Sequence, residues 1–308
     1  MSTASPRSRM AGHRWSAPFW NPREARLRAA WRIVAMLAVY LLVTILSMAV
    51  LESWLGERAE FGVPVAIVLT ALVTVGASAR FLDRRPLREV GLAWERGHLE
   101  ELLVGMAAGL AVTGAVLGAY LALGWAQITG WLAADGSFLA AFALVAANYA
   151  AVAFLEELLF RGYIITNASE GFACCGTTRA GGLLPLAWRS RLPGVLAVVT
   201  ASLVFARFHG DSLTALQYLH FWLAGVLLSI PYLWTGNLAM SIGLHWAHNV
   251  GATSLFNLQG GLPALVRLEV HGPSPWAGGA GVIETLAIAA ALPLMVLYLR
   301  HRTTSAVR

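Results

Sequence analysis

The sequence contains no lysine, only two cysteines and few charged residues of any kind. Asp, Glu, Lys and Arg together make up 12% of the 308 residues, whereas hydrophobic residues make up 58%. Soluble domains carry about 25% charged residues, so this composition argues against an ordinary soluble protein and indicates one embedded in lipid. The adjacent Cys174 and Cys175 are expected to be free thiols in a reducing compartment.

The basic residues do not indicate a nucleic-acid partner, although the net charge is +6 at pH 7. All of them are arginine, and they concentrate in connections beside apolar runs instead of forming one basic face. Cytoplasmic loops of membrane proteins carry such an excess of positive charge. The arginines are therefore interpreted as a topology signal that leaves both termini in the cytoplasm. The richness in arginine and alanine favours a bacterial inner membrane.

Uncharged runs of about 20 residues, long enough to cross the hydrocarbon core as helices, recur along the chain. They predict an all-α fold, a polytopic membrane helical bundle of about eight transmembrane helices. The predicted spans are residues 33–52, 61–79, 102–125, 138–166, 194–209, 213–234, 238–256 and 280–299.

The fourth span contains three charged residues, Glu156, Glu157 and Arg161. A charge at the centre of a membrane helix costs about 2.5–3.5 kcal/mol on insertion scales, so such residues usually face a cavity or take part in function. Glu157 and Arg161 are four residues apart, in the order that favours an ion pair on one helix face, and we interpret them as a structural pair. Glu156 is turned by about 100° from Glu157 and has no basic residue at that spacing. Glu156 is therefore the carboxylate that remains available to exchange a proton.

Two later spans place further polar side chains at helical spacing. Phe205 and His209 are four residues apart near the end of the fifth span, and His245 and Asn249 are four apart in the seventh. An imidazole and a carboxamide on one helix face can both donate hydrogen bonds to one small target. A rise of 1.5 Å per residue places these residues and Glu156 at similar depths. They are expected to form one polar layer inside the bundle.

Such a layer supplies the groups that amide hydrolysis needs. A glutamate that accepts a proton, helped by a histidine that orients water, produces an activated nucleophile. A second histidine and an asparagine provide an oxyanion hole for the tetrahedral intermediate. Zinc held by Glu and His is the alternative, but the sequence has no HExxH motif and asparagine is a poor zinc ligand. We expect no metal and no other cofactor.

The three motifs, in this order, resemble those of the CPBP family of CAAX proteases and bacteriocin-processing enzymes, also called Abi. That family includes the type II CAAX prenyl endopeptidase. EELLFRG at residues 156–162 is similar to its EExxxR motif, residues 205–209 to its FxxxH motif and residues 245–249 to its HxxxN motif. The resemblance covers roughly residues 138–256. It implies an eight-helix intramembrane endopeptidase with a glutamate-dependent mechanism.

By motif position, the resemblance implies that Glu156 is the general base and that His209 helps to activate the water. It implies that His245 and Asn249 stabilise the oxyanion. The supporting residues would be Glu157, Arg161 and Phe205. The chain then divides into a cytoplasmic Arg-rich arm (1–32), a membrane domain (33–300) with its catalytic core at 138–256, and a cytoplasmic tail (301–308).

The sequence departs from the family pattern at two places. No proline precedes the glutamate pair, and the connection at residues 167–193 is long, so we expect this connection to shape substrate access. Three further ionisable residues in or near spans, His220, His248 and Glu284, are expected to be mainly structural.

Two other functions fit an intramembrane set of carboxylates and histidines. One is a proton-coupled small-molecule transporter, and the other is a non-catalytic immunity or scaffold protein of the same fold. As an enzyme, the chain would take a peptide or protein substrate, membrane-associated or not, within membrane lipid. The resemblance implies prenylated C-terminal peptides, but such lipidation is not expected in a high-GC bacterium. No feature of the sequence indicates an oligomeric state.

Overall fold

Eight helices make up most of the described chain and form an all-α bundle. The computed structural model describes residues 18–22, 24–93, 95–131, 136–176, 191–259 and 264–306. The α-helical bounds are α1 Ala29–Leu55, α2 Ala59–Ala77, α3 His98–Ala122, α4 Gly136–Glu156, α5 Leu192–Phe208, α6 Ala215–Thr235, α7 Ala239–Val250 and α8 Val282–Ala306. Each predicted span overlaps one of these helices, so the predicted fold class is confirmed.

Three helices continue as π-helical segments. These segments are Ser78–Asp83 after α2, Glu157–Ile165 after α4 and Gly251–Leu255 after α7. After its π-helical segment, α4 resumes as an α-helix over Thr166–Gly176. Such segments are rare and often lie at functional sites. Two of the three begin beside predicted site residues, at Glu157 and at Gly251.

Six of the described helices are long and apolar enough to cross a membrane, and α5 is apolar but shorter. Helix α1 leaves large apolar side chains exposed, among them Leu42 at 57% and Ile45 at 66%. In water such a surface would be unfavourable, whereas lipid solvates it. The buried core lies on the inner faces of the bundle and includes Leu158, Phe160 and Phe205.

A buried ionic network explains why α4 extends beyond its predicted end. Asp83 accepts hydrogen bonds from Arg32 at 2.9 Å and from the Asn167 side chain at 2.8 Å. Glu170, one turn further along α4, accepts a hydrogen bond from Arg32 at 2.9 Å. The prediction that residues 167–176 belong to a loop was wrong, because these contacts hold the segment as helix. Residues 177–190 and the side chains of Cys174 and Cys175 lie outside the described residues.

Two short antiparallel sheets complete the described structure. Strands β1 (Trp20–Asn21) and β2 (Arg26–Leu27) form a hairpin before α1. Strands β3 (Ala126–Trp131) and β4 (Val266–Val270) pair across a register shift between Ile128 and Gly130. The second sheet packs on Tyr120 and Ala252 at one end of the bundle, which we call the sheet face.

Helices α3 and α7 approach each other through glycines. An added Cβ at Gly105 would lie 2.1 Å from the Met240 carbonyl oxygen, and one at Gly109 would lie 2.4 Å from the Leu244 carbonyl oxygen. On α7, an added Cβ at Gly243 would lie 2.1 Å from the Leu102 carbonyl oxygen. Small residues let membrane helices pack backbone to backbone in this way. The contact fixes the depth of α7 and of the polar residues it carries.

Candidate active site

One cavity gathers the four residues predicted to be catalytic. It has a volume of about 470 Å³ and is lined by residues of α3 to α8, including Glu156, His209, His245 and Asn249. The sequence predicted that these residues meet although they come from three separate spans, and the structure brings them together. Mostly apolar walls with a few convergent polar groups are the common form of a ligand site.

Glu156 is the last α-helical residue of α4 and faces the cavity. Its Oε2 lies 3.8 Å from His245 Nε2, and its side chain is 24% exposed. Among the described residues no group forms a hydrogen bond with this Oε2 atom. A carboxylate oxygen without a hydrogen bond inside a membrane protein is costly. Glu156 is thus placed to interact with a group that enters the cavity.

Glu157 makes two contacts on the side away from the cavity. Its Oε1 accepts a hydrogen bond from Arg161 Nη1 at 3.0 Å, and both side chains are almost completely buried. The same Oε1 lies 2.8 Å from Nδ1 of His245. Because the paired carboxylate can only accept, Nδ1 donates this hydrogen bond. Spacing along one helix indicated the Arg161 contact but not the contact with His245, which comes from another helix.

His245 therefore bridges the two adjacent carboxylates through opposite edges of its ring. Nδ1 faces Glu157 and Nε2 faces Glu156. An imidazole held by a hydrogen bond on one nitrogen presents the other nitrogen in a fixed direction. Glu157 orients His245, and Arg161 in turn holds Glu157. These three residues form a buried chain that ends at the cavity.

Phe205, the aromatic residue of the second motif, contacts both this chain of residues and His209. The Arg161 guanidinium lies 4.4 Å from the centroid of the Phe205 ring, in cation–π range. Nδ1 of His209 is 2.9 Å from the Phe205 carbonyl oxygen, and the His209 ring stacks on Phe221 at 4.2 Å between centroids. These contacts occupy Nδ1 and hold the ring at the cavity wall.

The third motif lies on α7, which is fastened to its neighbours. Beyond the glycine contacts with α3, the Trp246 indole donates a hydrogen bond to the Ala146 carbonyl oxygen of α4 at 2.9 Å. Asn249, one turn after His245, lines the same cavity. The carboxamide is therefore presented on the same side of the cavity as the imidazole.

The three residues expected to be mainly structural also line this cavity. Nδ1 of His220 lies 3.3 Å from the Thr285 hydroxyl. Glu284 is hydrogen-bonded to the Tyr120 hydroxyl and accepts a hydrogen bond from the Gly278 amide at 3.1 Å. These bonds tie the start of α8 to α6 and α3. The sequence analysis expected His248 and Glu284 to be mainly structural, yet both lie on the cavity wall. The only sequence signal for this position was that each is an ionisable residue in or near an apolar span.

Comparison with known proteins agrees with the three motifs. Residues 137–251 match the family described as type II CAAX prenyl endopeptidase Rce1-like. No curated protein and no solved structure matched the chain. The resemblance predicted from the sequence is confirmed over residues 137–251. With its long apolar helices, the chain is an integral membrane protein.

Proposed function

We propose that this protein is an intramembrane endopeptidase in which Glu156 acts as the general base. The observation that carries the proposal is the position of Glu156, whose partly exposed side chain lines the cavity while its Oε2 lies 3.8 Å from His245 Nε2. Water bound there can lose a proton to the carboxylate as it attacks a peptide carbonyl. His209, held at the cavity wall by Phe205 and Phe221, helps to orient that water.

His245 and Asn249 are proposed to stabilise the oxyanion of the tetrahedral intermediate. Nε2 of His245 must carry a hydrogen to donate to an oxyanion, and Nδ1 already donates to Glu157. The oxyanion role therefore uses a ring in which Nδ1 donates to Glu157 and Nε2 donates to the oxyanion. Asn249 supplies a second, neutral donor from the next turn of α7.

The substrate is proposed to be a peptide or protein segment. A comparison of membrane peptides from cells that carry the wild type and cells that carry Glu156→Gln tests this function. Segments cut by the wild type should accumulate uncut in the variant cells. If the two peptide sets are the same, and no reporter peptide is cut by the purified wild type, the proposal fails in favour of a non-catalytic or transport function.

Replacing Glu157 by glutamine is expected to lower kcat by roughly 10²-fold with little change in KM. The amide keeps the shape of the side chain but removes the charge that orients His245, and loss of such an orienting carboxylate costs about 10⁴-fold in the serine protease triad. Steady-state cleavage of a reporter peptide measures both constants. An increase in KM at unchanged kcat would contradict this role.

Tyr163→Phe is the matched control for Glu157→Gln. It removes a buried hydrogen bond of the same π-helical segment, the 3.3 Å contact with Asp83, and Tyr163 does not line the cavity. It is expected to lower the thermal unfolding temperature while leaving kcat unchanged. A purely structural role of Glu157 would give the same pattern as this control.

We propose that the water is activated without a metal ion. The side chains of Glu157 and His245 bind each other, and asparagine is a poor zinc ligand. Prolonged incubation of the purified protein with a chelator is expected to leave the rate of reporter cleavage unchanged. Metal analysis of the same sample provides the second measurement. Stoichiometric zinc that is lost together with activity would refute this part of the mechanism.

A further inference from the structure

The cavity reaches the surface of the protein at the sheet face. Among its lining residues are Gln259 after α7 and Gly279 before α8, which are both exposed. At the other end its wall consists of buried leucines, Leu227, Leu228 and Leu244. Glu157, which follows Glu156 toward that end, is fully buried. The mouth of the cavity is therefore formed by the connections at the sheet face.

Contacts between distant segments define the two faces of the bundle. At the sheet face, the Gln217 side chain at the start of α6 donates to the Gly279 carbonyl oxygen at 3.1 Å, and the Tyr120 hydroxyl at the end of α3 accepts from the Gly278 amide at 2.8 Å. At the opposite face, Arg302 at the end of α8 lies 3.3 Å from Glu101 at the start of α3.

Arginine is distributed very unequally between these faces. Among the described residues, three arginines lie at the sheet face: Arg58 between α1 and α2, Arg207 at the end of α5 and Arg267 in β4. Arg161 is buried in the bundle, and the other described arginines lie in segments that belong to the opposite face, which we call the arginine-rich face. Short connections with this excess of positive charge remain in the cytoplasm.

We infer that the cavity opens away from the cytoplasm and receives an extended peptide segment presented at the extracytoplasmic surface. This inference rests on the proposed endopeptidase function and adds the side from which its substrate arrives. Glu156 and Glu284 are the only Asp, Glu, Lys or Arg side chains among the described residues that line the cavity. Both side chains are acidic, so a neutral or basic segment is favoured there over an acidic one.

Thiol labelling in intact cells tests the orientation independently of catalysis. In a background with Cys174→Ser and Cys175→Ser, one variant carries Gln259→Cys at the cavity mouth and another carries Glu89→Cys, an exposed position of the arginine-rich face. A membrane-impermeant charged maleimide should label the Gln259→Cys protein in intact cells. It should label the Glu89→Cys protein only after permeabilisation. The reverse pattern, or equal labelling of both, would overturn the inference.

A blocking experiment then tests whether the mouth is the route of the substrate. Glu60→Cys provides the control, because Glu60 lies exposed in the first turn of α2 on the sheet face and does not line the cavity. Modification of Gln259→Cys with a bulky maleimide should reduce reporter cleavage to background. The same modification of Glu60→Cys should leave cleavage unchanged. Unchanged cleavage after complete modification of Gln259→Cys would refute this route.

Anchored reporters distinguish a failure of this inference from a failure of the proposed function. The same neutral peptide segment is displayed on either side of a single-span anchor in cells with the wild-type protein. Cleavage of the extracytoplasmic reporter alone supports the inference, and cleavage of the cytoplasmic reporter alone overturns it. If neither reporter is cut while Gln259→Cys is labelled from outside, the orientation stands and the endopeptidase function is refuted.

Discussion

Glutamine in place of Glu156 is expected to slow peptide cleavage by roughly 10²- to 10⁴-fold, the range that a general base contributes. The amide matches the carboxylate in shape but cannot accept the proton that water must lose. Fluorescence of a quenched reporter peptide, incubated with the purified protein in detergent, measures the effect. Cleavage by Glu156→Gln within a few-fold of the wild type would remove Glu156 from the mechanism.

The fold should tolerate this change because the Glu156 side chain contributes little to the packing of the core. Its side chain lies at the cavity wall, in contrast to the fully buried Glu157 beside it. The thermal unfolding temperature of Glu156→Gln should therefore remain close to that of the wild type. Glu60→Gln is the matched control, since it makes the same chemical change at an exposed position outside the cavity. That variant should retain full activity.

Alanine in place of Gly243 is expected to damage both the assembly of the bundle and the reaction. The added methyl group would lie 2.1 Å from the Leu102 carbonyl oxygen, so the backbones of α3 and α7 must separate by roughly 1 Å. Overpacking of this kind costs about 1–3 kcal/mol. His245 lies two residues further along α7, and a displacement of about 1 Å at a reacting group can cost 10²-fold in rate.

The glycines of α3 provide a control for the Gly243→Ala experiment. Gly105→Ala should reproduce the effect, because its added methyl group meets the Met240 backbone of α7. Gly114→Ala should not, because no atom lies within 4 Å of the added methyl group there. Unfolding temperature and reporter cleavage are measured for all three variants. Equal behaviour of Gly105→Ala and Gly114→Ala would show that the close helix contact does not position α7.

The spans and the candidate site residues could be predicted from the sequence because both are visible in short stretches of the chain. Apolar runs identify membrane helices by length and composition, and all eight predicted spans overlap helices. A charged or polar residue inside such a run is conspicuous, so Glu156, His209, His245 and Asn249 stand out from the amino-acid pattern alone. Helical spacing also suggested the ion pair of Glu157 and Arg161.

The contacts that were not predicted depend on how helices pack, which has no local signal. The hydrogen bond between Glu157 and His245 joins residues on α4 and α7, and spacing within one helix does not indicate it. The same holds for Asp83 and Glu170, whose partners come from α1 and from the connection after α2. The pairing of β3 with β4 joins segments separated by four helices. A signal did exist for the α3–α7 contact, the four-residue spacing of Gly105 and Gly109.

The position of the cavity mouth separates recognition from chemistry in this fold. Gln259 and Gly279 belong to the connections around β4, whereas Glu156 and His245 lie on helices held together by buried charges and glycine contacts. Insertions or substitutions in these surface connections can alter which peptides enter without moving the reacting groups. Under the proposed function, such a division would let the range of accepted segments change while the reacting groups keep their geometry.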